Sequence, residues 1–172
     1  GSPYVDIPDP WGCHENYAQH FEEEFLKSME GFGIDLDCRY QAAMREVQTK
    51  LEILDDEFQM RHRRNPIHHI ETRVKSLPSI IKKLHSLNIP VSIINAKKTL
   101  HDIAGVRVVC RYVDDIYRIA NLLLSQDDVL LILEKDYIKK PKDNGYRSLH
   151  IVVDVPVYMI EGRVFIPVEI QI

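Results

Sequence analysis

The sequence predicts an α+β fold with an α/β-like order of elements, in which helices come first and one mixed sheet follows. Two observations predict it. A long apolar stripe at helical spacing occupies the first half of the chain, and short β-branched runs dominate the second half. Of the 172 residues, 45% are hydrophobic and 28% are charged. These values suit one packed core and argue against a disordered chain or a disulfide scaffold.

The first half is predicted to be helical. Residues 15–30 carry a short amphipathic pattern, and Gly31 and Gly33 predict a break after it. From residue 35 to 64 the apolar residues recur at steps of three and four, which predicts one face of a long helix that Pro66 ends. The apolar residues of this face are Leu36, Tyr40, Met44, Val47, Leu51, Leu54 and Phe58.

A helix, a strand and a further helix are predicted next. Ser76 and Pro78 mark the start of the first helix, because proline suits the first turn. Residues 104–112 form a β-branched run, which predicts a strand. Asp114 or Asp115 is expected to cap the helix that follows. The buried faces of the two helices are predicted to be Ile80, Ile81 and Leu84, and Ile116, Ile119, Ala120, Leu123 and Leu124.

Three more strands complete the predicted sheet. Residues 129–133 predict a buried strand, and residues 148–155 and 163–172 predict two strands joined by a turn near Gly162. The apolar run at 129–133 is far too short to span a bilayer, so we expect neither a transmembrane protein nor a membrane partner. We also expect no signal peptide.

Cysteine usage and charge indicate the environment and the kind of ligand. Cys13, Cys38 and Cys110 are odd in number and form no CxxC pair, which is typical of a reducing cytoplasm and argues against structural zinc. Net charge is −8 over residues 1–72, +6 over residues 73–147 and −2 over the remainder. A basic middle in an acidic chain favours a focused site for an anion; a solvated basic surface is the alternative.

Glycine-rich phosphate loops and nucleophile motifs are missing from the sequence, which contains neither GxxxxGK[ST] nor GxGxxG nor GxSxG. Side chains must therefore do most of any phosphate binding. Arg73 and Lys75 precede the helix that starts at Ser76. Ser79 and Lys83 share one face of that helix, and this arrangement favours a phosphate at its N-terminus. A solvent-facing basic helix is the alternative.

Two carboxylates are candidates for a metal site. Asp102 precedes a strand on which Arg107 points outward, and Glu169 lies in the middle of an apolar strand. Mg²⁺ prefers one or two carboxylates together with substrate phosphates, and a guanidinium can stack on a base. In the alternative interpretation Asp102 caps a turn, Arg107 is a surface residue and Glu169 lies at a sheet edge in water.

Basic, aromatic and amide side chains are interleaved between residues 135 and 150. The candidates among them are Lys135, Lys142, Asn144, Tyr146 and His150. Proteins hold an unpaired base by stacking it on an aromatic ring and by hydrogen bonding to its edge. The segment therefore predicts a nucleotide site, with a flexible basic loop as the alternative.

Four strings in succession resemble the synthetase domain of the RelA/SpoT homologue family, and most closely its single-domain small alarmone synthetases. They are RVKS followed by SIIKK, then HDIAGVRVVC, KDYIKKPKDNGYRSLH and VEIQI. The resemblance runs from Arg73 to Ile172. It implies a nucleotidyltransferase-like fold with a mixed sheet flanked by helices. It also implies a catalytic core at 73–172 with a helical region, 1–72, packing on it.

The resemblance implies a cytoplasmic GTP pyrophosphokinase that moves the β,γ-pyrophosphate of ATP to the 3′-hydroxyl of GDP or GTP, making (p)ppGpp for the stringent response. Mg²⁺ would be held by Asp102 and Glu169, and Glu169 would help to deprotonate the hydroxyl. The implied ATP-binding residues are Arg73 and Arg107, which sandwich adenine, and Lys75, Ser79 and Lys83 at the phosphates. The implied residues for GDP or GTP are Lys135, Lys142, Asn144, Tyr146, His150 and Gln171, with Tyr146 stacking on guanine.

The sequence also departs from the family pattern. The family continues past EIQI into helices that support a tetramer, so we expect this chain to be a fragment and the full-length protein to be a homotetramer. Asp143, in place of a common proline, and Leu133 and Glu134, ahead of Lys135, leave the choice between GDP and GTP open. Two alternatives are a toxin-type relative that pyrophosphorylates the tRNA 3′ end, and a nucleotide-sensing domain without catalysis.

Overall fold

The computed structural model describes Lys27 and residues 30–172, and its strands form one mixed sheet. The elements in chain order are a π-helical turn at Asp35–Tyr40, α1 at Gln41–His62, β1 at Ile67–Val74, α2 at Leu77–Ser86, α3 at Ile93–Thr99, β2 at Ala104–Cys110, α4 at Val113–Leu124, β3 at Leu130–Asp136, β4 at Leu149–Met159 and β5 at Gly162–Gln171. The strand order is β1-β2-β5-β4-β3. Only the β2–β5 pair is parallel, so within the described part of the chain the predicted mixed sheet is confirmed.

The predicted apolar stripe forms the face of α1 and the preceding turn that packs on the sheet. Its residues are buried except for Leu54, which is half-buried. The break predicted at Gly31 and Gly33 is wrong, because residues 30–34 are helical and run into the π-helical turn. Phe32 between the glycines is 2% exposed, so its burial outweighs the low helix propensity of glycine. Apart from Lys27 and Glu30, the pattern predicted at 15–30 lies outside the described residues, as does Cys13.

The end of α1 and the strand after it differ from the prediction. The helix ends at His62, because Arg63 adopts a left-handed backbone conformation with φ of 55°, well before Pro66. The sequence pattern did not predict β1. A bulge between Ile67 and His69 interrupts the period of two, and this irregularity hides the strand. The short helix α3 also escaped prediction.

The strand predicted to be buried at 129–133 lies instead at an edge of the sheet. β3 pairs on one side with β4, and Leu130, Leu131, Ile132 and Leu133 are each at least 42% exposed. An apolar run alone does not distinguish a central strand from an edge strand, because the strand order depends on long-range pairing. By contrast β4, β5 and the turn at Gly162, with φ of 118°, are confirmed.

The start predicted for α2 agrees with the structure, whereas the cap predicted for α4 does not. The helix α2 starts after Ser76, as predicted, and Ser76 caps it by accepting a hydrogen bond from the Ser79 amide at 3.3 Å. The residue at the start of α4 is Tyr112, so the predicted aspartate cap is wrong. Asp115 lies inside the helix, where it accepts hydrogen bonds of 2.8 and 2.5 Å from the guanidinium of Arg64. That guanidinium lowers the pKa of Asp115.

The two faces of the sheet have opposite character. Val106, Val108, Val168 and Ile170 are buried, whereas Arg107, between two of them, is exposed. The outward position predicted for Arg107 is therefore confirmed. No helix in the described residues is long and apolar enough to cross a membrane.

Candidate active site

The polar face of the sheet carries one aligned row of charged and polar side chains. Successive cross-strand partners are Glu71 on β1, Arg107 on β2, Gln171 on β5, His150 on β4 and Lys135 on β3. Direct partners in a sheet have Cβ atoms only about 5 Å apart. The register therefore brings together residues that are far apart in sequence.

A second row, two residues along the strands, forms the floor of a cleft. It contains Arg73, Gly105 and Glu169 as successive partners. Because Gly105 has no side chain, space is left between Arg73 and Glu169. The cleft has a volume of about 460 Å³ and is lined by Glu71, Thr72, Arg73, Asp102, Gly105, Val106, Arg107, Glu169 and Gln171.

Asp102 is held at the edge of this cleft by two lysines. Its Oδ2 atom accepts a hydrogen bond from Lys83 Nζ and lies 3.2 Å from Lys75 Nζ. Burial alone raises the pKa of this carboxyl, but the hydrogen bonds and charges of Lys83 and Lys75 outweigh burial and lower it. The other oxygen, Oδ1, is buried and has no hydrogen-bond partner among the described residues.

The start of α2 fixes the two lysines. Ser76 caps the helix, and its Oγ donates a hydrogen bond to Ser79 Oγ at 2.9 Å. The backbone amide of Lys75 donates to the carbonyl of Ile103 at 2.7 Å, which ties the residue to the loop before β2. Lys83 lies one turn after Ser79 on the same face. Two ammonium groups thus contact one carboxylate, one carried by the residue before the cap of α2 and the other by the helix itself.

Glu169 forms a polar network with three side chains on its other side, Gln171, Tyr146 and His150. Gln171 Nε2 donates to Glu169 Oε1 at 2.8 Å, and Tyr146 Oη donates to Gln171 Oε1 at 3.4 Å. Tyr146 Oη also lies 2.9 Å from His150 Nε2, and His150 Nδ1 lies 4.0 Å from Glu169 Oε1. Burial lowers the pKa of His150; Glu169 opposes this shift, while the charges of Lys142 and Lys135 add to it.

The loop between β3 and β4 is shaped around Tyr146. The Asn144 Oδ1 atom accepts a hydrogen bond from the Tyr146 amide at 3.1 Å, and Gly145 turns the chain with φ of 83°. Lys142 Nζ lies 4.6 Å from the ring centre of Tyr137 and 5.2 Å from that of Tyr146. Such cation–π contacts hold a lysine beside an aromatic surface without neutralising its charge.

A family model described as "Region found in RelA / SpoT proteins" matches residues 72–172, more than half of the chain. The chain belongs to the RelA/SpoT family. A curated relative, the GTP pyrophosphokinase YwaC of Bacillus subtilis (strain 168), is 40% identical over 133 residues, which cover 77% of this chain and 63% of the relative. The chain thus spans less than two thirds of that relative's length.

Solved structures agree with this family membership. Small alarmone synthetase 1 from Bacillus subtilis bound to its product pppGpp aligns with a TM-score of 0.69 and 34% identity, covering 77% of this chain and 66% of that chain. The same synthetase bound to AMPCPP aligns with a TM-score of 0.66 and 28% identity, covering 84% and 69%. The predicted nucleotidyltransferase-like fold is therefore confirmed.

A second family model, described as "tRNA synthetases class I (K)", matches residues 1–75. It covers less than half of the chain and overlaps the RelA/SpoT match only at residues 72–75. β1 crosses the boundary that the sequence predicts between 1–72 and 73–172, and both parts contribute to one hydrophobic core. The division into two regions stays a prediction.

The donor atoms in the cleft fit the magnesium ion that the RelA/SpoT resemblance implies. Asp102 Oδ1 is a buried carboxylate oxygen that lacks a protein partner in the described part of the chain, and Glu169 lines the same cleft. No group of three or more His, Cys, Asp or Glu residues suited to a metal is found within residues 30–172. Mg²⁺ completes its shell with water and phosphate oxygens, so two carboxylates are sufficient.

Each predicted site residue of this RelA/SpoT chain lies on or beside the polar face. The cleft contains five of them, namely Arg73, Asp102, Arg107, Glu169 and Gln171. Lys75 and Lys83 bind Asp102, and Ser79 hydrogen-bonds to the cap of the same helix. The acceptor candidates Lys135, Lys142, Asn144, Tyr146 and His150 are connected through the network and the loop described above. Their individual roles stay predictions.

Sequence reasoning missed Glu71 and Thr72, and it left Tyr137, in the interleaved segment, out of the candidate site residues. Glu71 and Thr72 line the cleft from β1, the strand that the bulge hides. Had the strand been recognised, its alternation would have placed Glu71 on the same face as Arg73. Tyr137 packs edge-on against His150, with ring centres 5.2 Å apart. Its position two residues after Lys135 was the available signal.

Proposed function

We propose that this chain carries the active site of a GTP pyrophosphokinase, which transfers the β,γ-pyrophosphate of ATP to the 3′-hydroxyl of GDP or GTP and releases AMP. The observation that carries the proposal is a single sheet face with Asp102 and two lysines at one end, Tyr146 and His150 at the other, and Glu169 between them. Identity to YwaC and the pppGpp and AMPCPP bound to the structural relative support it.

The donor end, defined as Arg73, Lys75, Ser79, Lys83, Asp102 and Arg107, would bind ATP. Arg73 and Arg107 are outward-facing guanidinium groups on neighbouring strands, and planar guanidinium groups stack on bases. Lys75, Lys83 and the hydroxyl of Ser79 would bind the phosphates. Transfer between phosphates requires in-line positioning and charge neutralisation rather than a covalent nucleophile.

Asp102 and Glu169 would hold Mg²⁺, which when bound would neutralise the pyrophosphate charge and favour ionisation of the acceptor hydroxyl. Glu169 would accept the proton of that hydroxyl. Gln171 donates a hydrogen bond to one carboxylate oxygen of Glu169, and this bond orients the carboxylate toward the cleft. The attacking oxygen then forms a bond to the β-phosphorus as the bond to AMP breaks.

The acceptor end, defined as Lys135, Lys142, Asn144, Tyr146, His150 and Gln171, would bind GDP or GTP. Tyr146 is 37% exposed, and its ring would stack on guanine. Lys142 and Lys135 would bind the phosphates of the acceptor, and Asn144 supports Tyr146 through its amide.

The remaining parts of the proposal concern the whole protein. Residues 73–172 would form the catalytic core, with residues 1–72 packing on it, and the full-length protein would be a cytoplasmic homotetramer. The free thiols of Cys38 and Cys110 are consistent with a reducing compartment. Burial raises the pKa of Cys110 to about 12, so this thiol stays protonated.

Product analysis tests the proposed function. The chain is incubated with Mg²⁺ and ATP labelled at the γ-phosphate, together with GDP, GTP or tRNA, and the products are separated by anion exchange. We expect label in a guanosine product with an equal amount of AMP, loss of the product with EDTA, and its recovery with excess Mg²⁺. Label on tRNA alone, or nucleotide binding without any transfer, would contradict the proposal.

A further inference from the structure

Glu71 is a charged residue of the cleft to which no role is assigned above. It lies on β1 directly opposite Arg107 of β2, and its Oε2 atom is 3.7 Å from Arg107 Nη1. Its other oxygen, Oε1, is 3.2 Å from Nε2 of His69. The side chain is 57% exposed, so the carboxylate is accessible to a ligand in the cleft.

The position of Glu71 relates it to both arginines of the donor end. It precedes Arg73 by two residues on the same face of β1, and it is the cross-strand partner of Arg107. A planar ring held between these two guanidinium groups therefore presents one edge to Glu71. An ionised carboxylate only accepts hydrogen bonds, so the group that it recognises on that edge must be a donor.

We propose that Glu71 is a specificity-determining residue that accepts a hydrogen bond from the 6-amino group of the donor adenine. This inference rests on the proposed function, because it requires the adenine of ATP to lie between Arg73 and Arg107. The 6-amino group is the exocyclic donor of adenine. The carboxylate also reduces the repulsion between two guanidinium groups that approach the same ring.

The principal competing role is purely electrostatic. In that case Glu71 only holds Arg107 in place, and its loss weakens every purine nucleotide equally. The two roles are separated by purine riboside 5′-triphosphate, which matches ATP except that it has no 6-amino group. A site built to bind a polar group discriminates strongly against an analogue that lacks it.

The test measures binding and transfer for Glu71→Ala, Glu71→Gln and the unchanged chain with both nucleotides. We expect the unchanged chain to prefer ATP by about tenfold in Kd and in kcat/KM, as for a hydrogen bond to a charged acceptor. In Glu71→Ala the ratio of the constants for the two nucleotides should fall to about one, because only ATP loses a hydrogen bond. Glu71→Gln should keep only part of the preference, since a neutral amide oxygen accepts more weakly.

His69→Ala is the matched control, because it removes the other contact of Glu71 and leaves the carboxylate in place. We expect this variant to keep the preference for ATP. The inference would be overturned if Glu71→Ala weakened the binding of both nucleotides equally, or weakened the binding of neither. Binding is measured apart from transfer, so binding without (p)ppGpp formation would count against the proposed function alone. If neither nucleotide binds, the proposed function and the inference about Glu71 are both wrong.

Discussion

The donor end and the acceptor end share one sheet face but are built by different interactions. At the donor end a capped helix and two ammonium groups hold Asp102, and the side chains of Lys75 and Asp102 are only 10% and 21% exposed. At the acceptor end Lys135 lies on the edge strand β3, and a loop arranges exposed residues by aromatic and cation–π contacts. We therefore expect the donor end to be positioned before a substrate binds and the acceptor end to adjust more on binding.

The difference in solvent exposure between the two ends affects how strongly their charges interact. Charges that are partly removed from water interact more strongly and are screened less by salt than exposed charges. Lys75 and Lys83 therefore form a defined electrostatic site with Asp102. Lys142 is exposed and its Nζ atom lies over the rings of Tyr137 and Tyr146, contacts that leave its charge available to a ligand.

The largest expected effect comes from the two carboxylates proposed to hold Mg²⁺, Asp102 at the donor end and Glu169 between the two ends. Asp102→Asn and Glu169→Gln keep the shape of each side chain and remove its charge. Each should reduce pyrophosphate transfer by about a thousandfold or more, since stabilisation by a bound metal is worth several kcal/mol. Initial rates of (p)ppGpp formation at saturating Mg²⁺, ATP and acceptor provide the measurement.

Thermal unfolding is the necessary control for these variants, because Asp102→Asn leaves Lys75 and Lys83 without their counter-charge. Glu169→Gln carries no such penalty, since its contact with His150 is at 4.0 Å and that with Gln171 is a single hydrogen bond. Normal activity in a folded Glu169→Gln variant would contradict both the metal assignment and the proton-accepting role.

A smaller effect should distinguish the two ends directly. Lys83→Met should raise KM for ATP by about ten- to a hundredfold, the value of a hydrogen bond to a charged group, and leave KM for the acceptor nearly unchanged. Lys142→Met should raise KM for the acceptor and leave KM for ATP nearly unchanged. Steady-state kinetics with one substrate varied at a time gives both constants. If either variant changed the two KM values equally, the division into donor and acceptor ends would be wrong.

Sequence reasoning succeeded where a residue's place depends on local periodicity. The stripe on α1, the start of α2 at Ser76 and the outward position of Arg107 on β2 each follow from local residue types and their spacing. Because Ser79 and Lys83 lie one helical turn apart, their common face was predictable in the same way. The motif strings then indicated which of these residues belong to one site.

The wrong predictions concern residues whose position depends on contacts with distant parts of the chain. The position of β3 at the sheet edge depends on which strand pairs with which, and no local pattern contains that information. Asp115 does not cap α4 as expected; it lies inside the helix and accepts two hydrogen bonds from Arg64, 51 residues earlier. The bulge near His68 obscured β1 and with it Glu71. In each case a tertiary contact overrode a local preference.

The smallest effect is expected from Tyr146→Phe, which tests whether the acceptor end works through its ring or through its hydroxyl. The variant keeps the stacking surface and loses only the contacts of Oη with His150 and Gln171. Since water can replace an exposed hydroxyl, KM for the acceptor should rise about two- to fivefold.

Tyr146→Ala removes the ring as well and should raise that constant by about tenfold or more, because base stacking on an aromatic side chain is worth 1–3 kcal/mol. KM for ATP should change in neither variant. If Tyr146→Phe lost as much as Tyr146→Ala, the hydroxyl network from Tyr146 through Gln171 to Glu169 would be the essential feature. The acceptor end would then be as firmly positioned as the donor end, and the contrast between them would disappear.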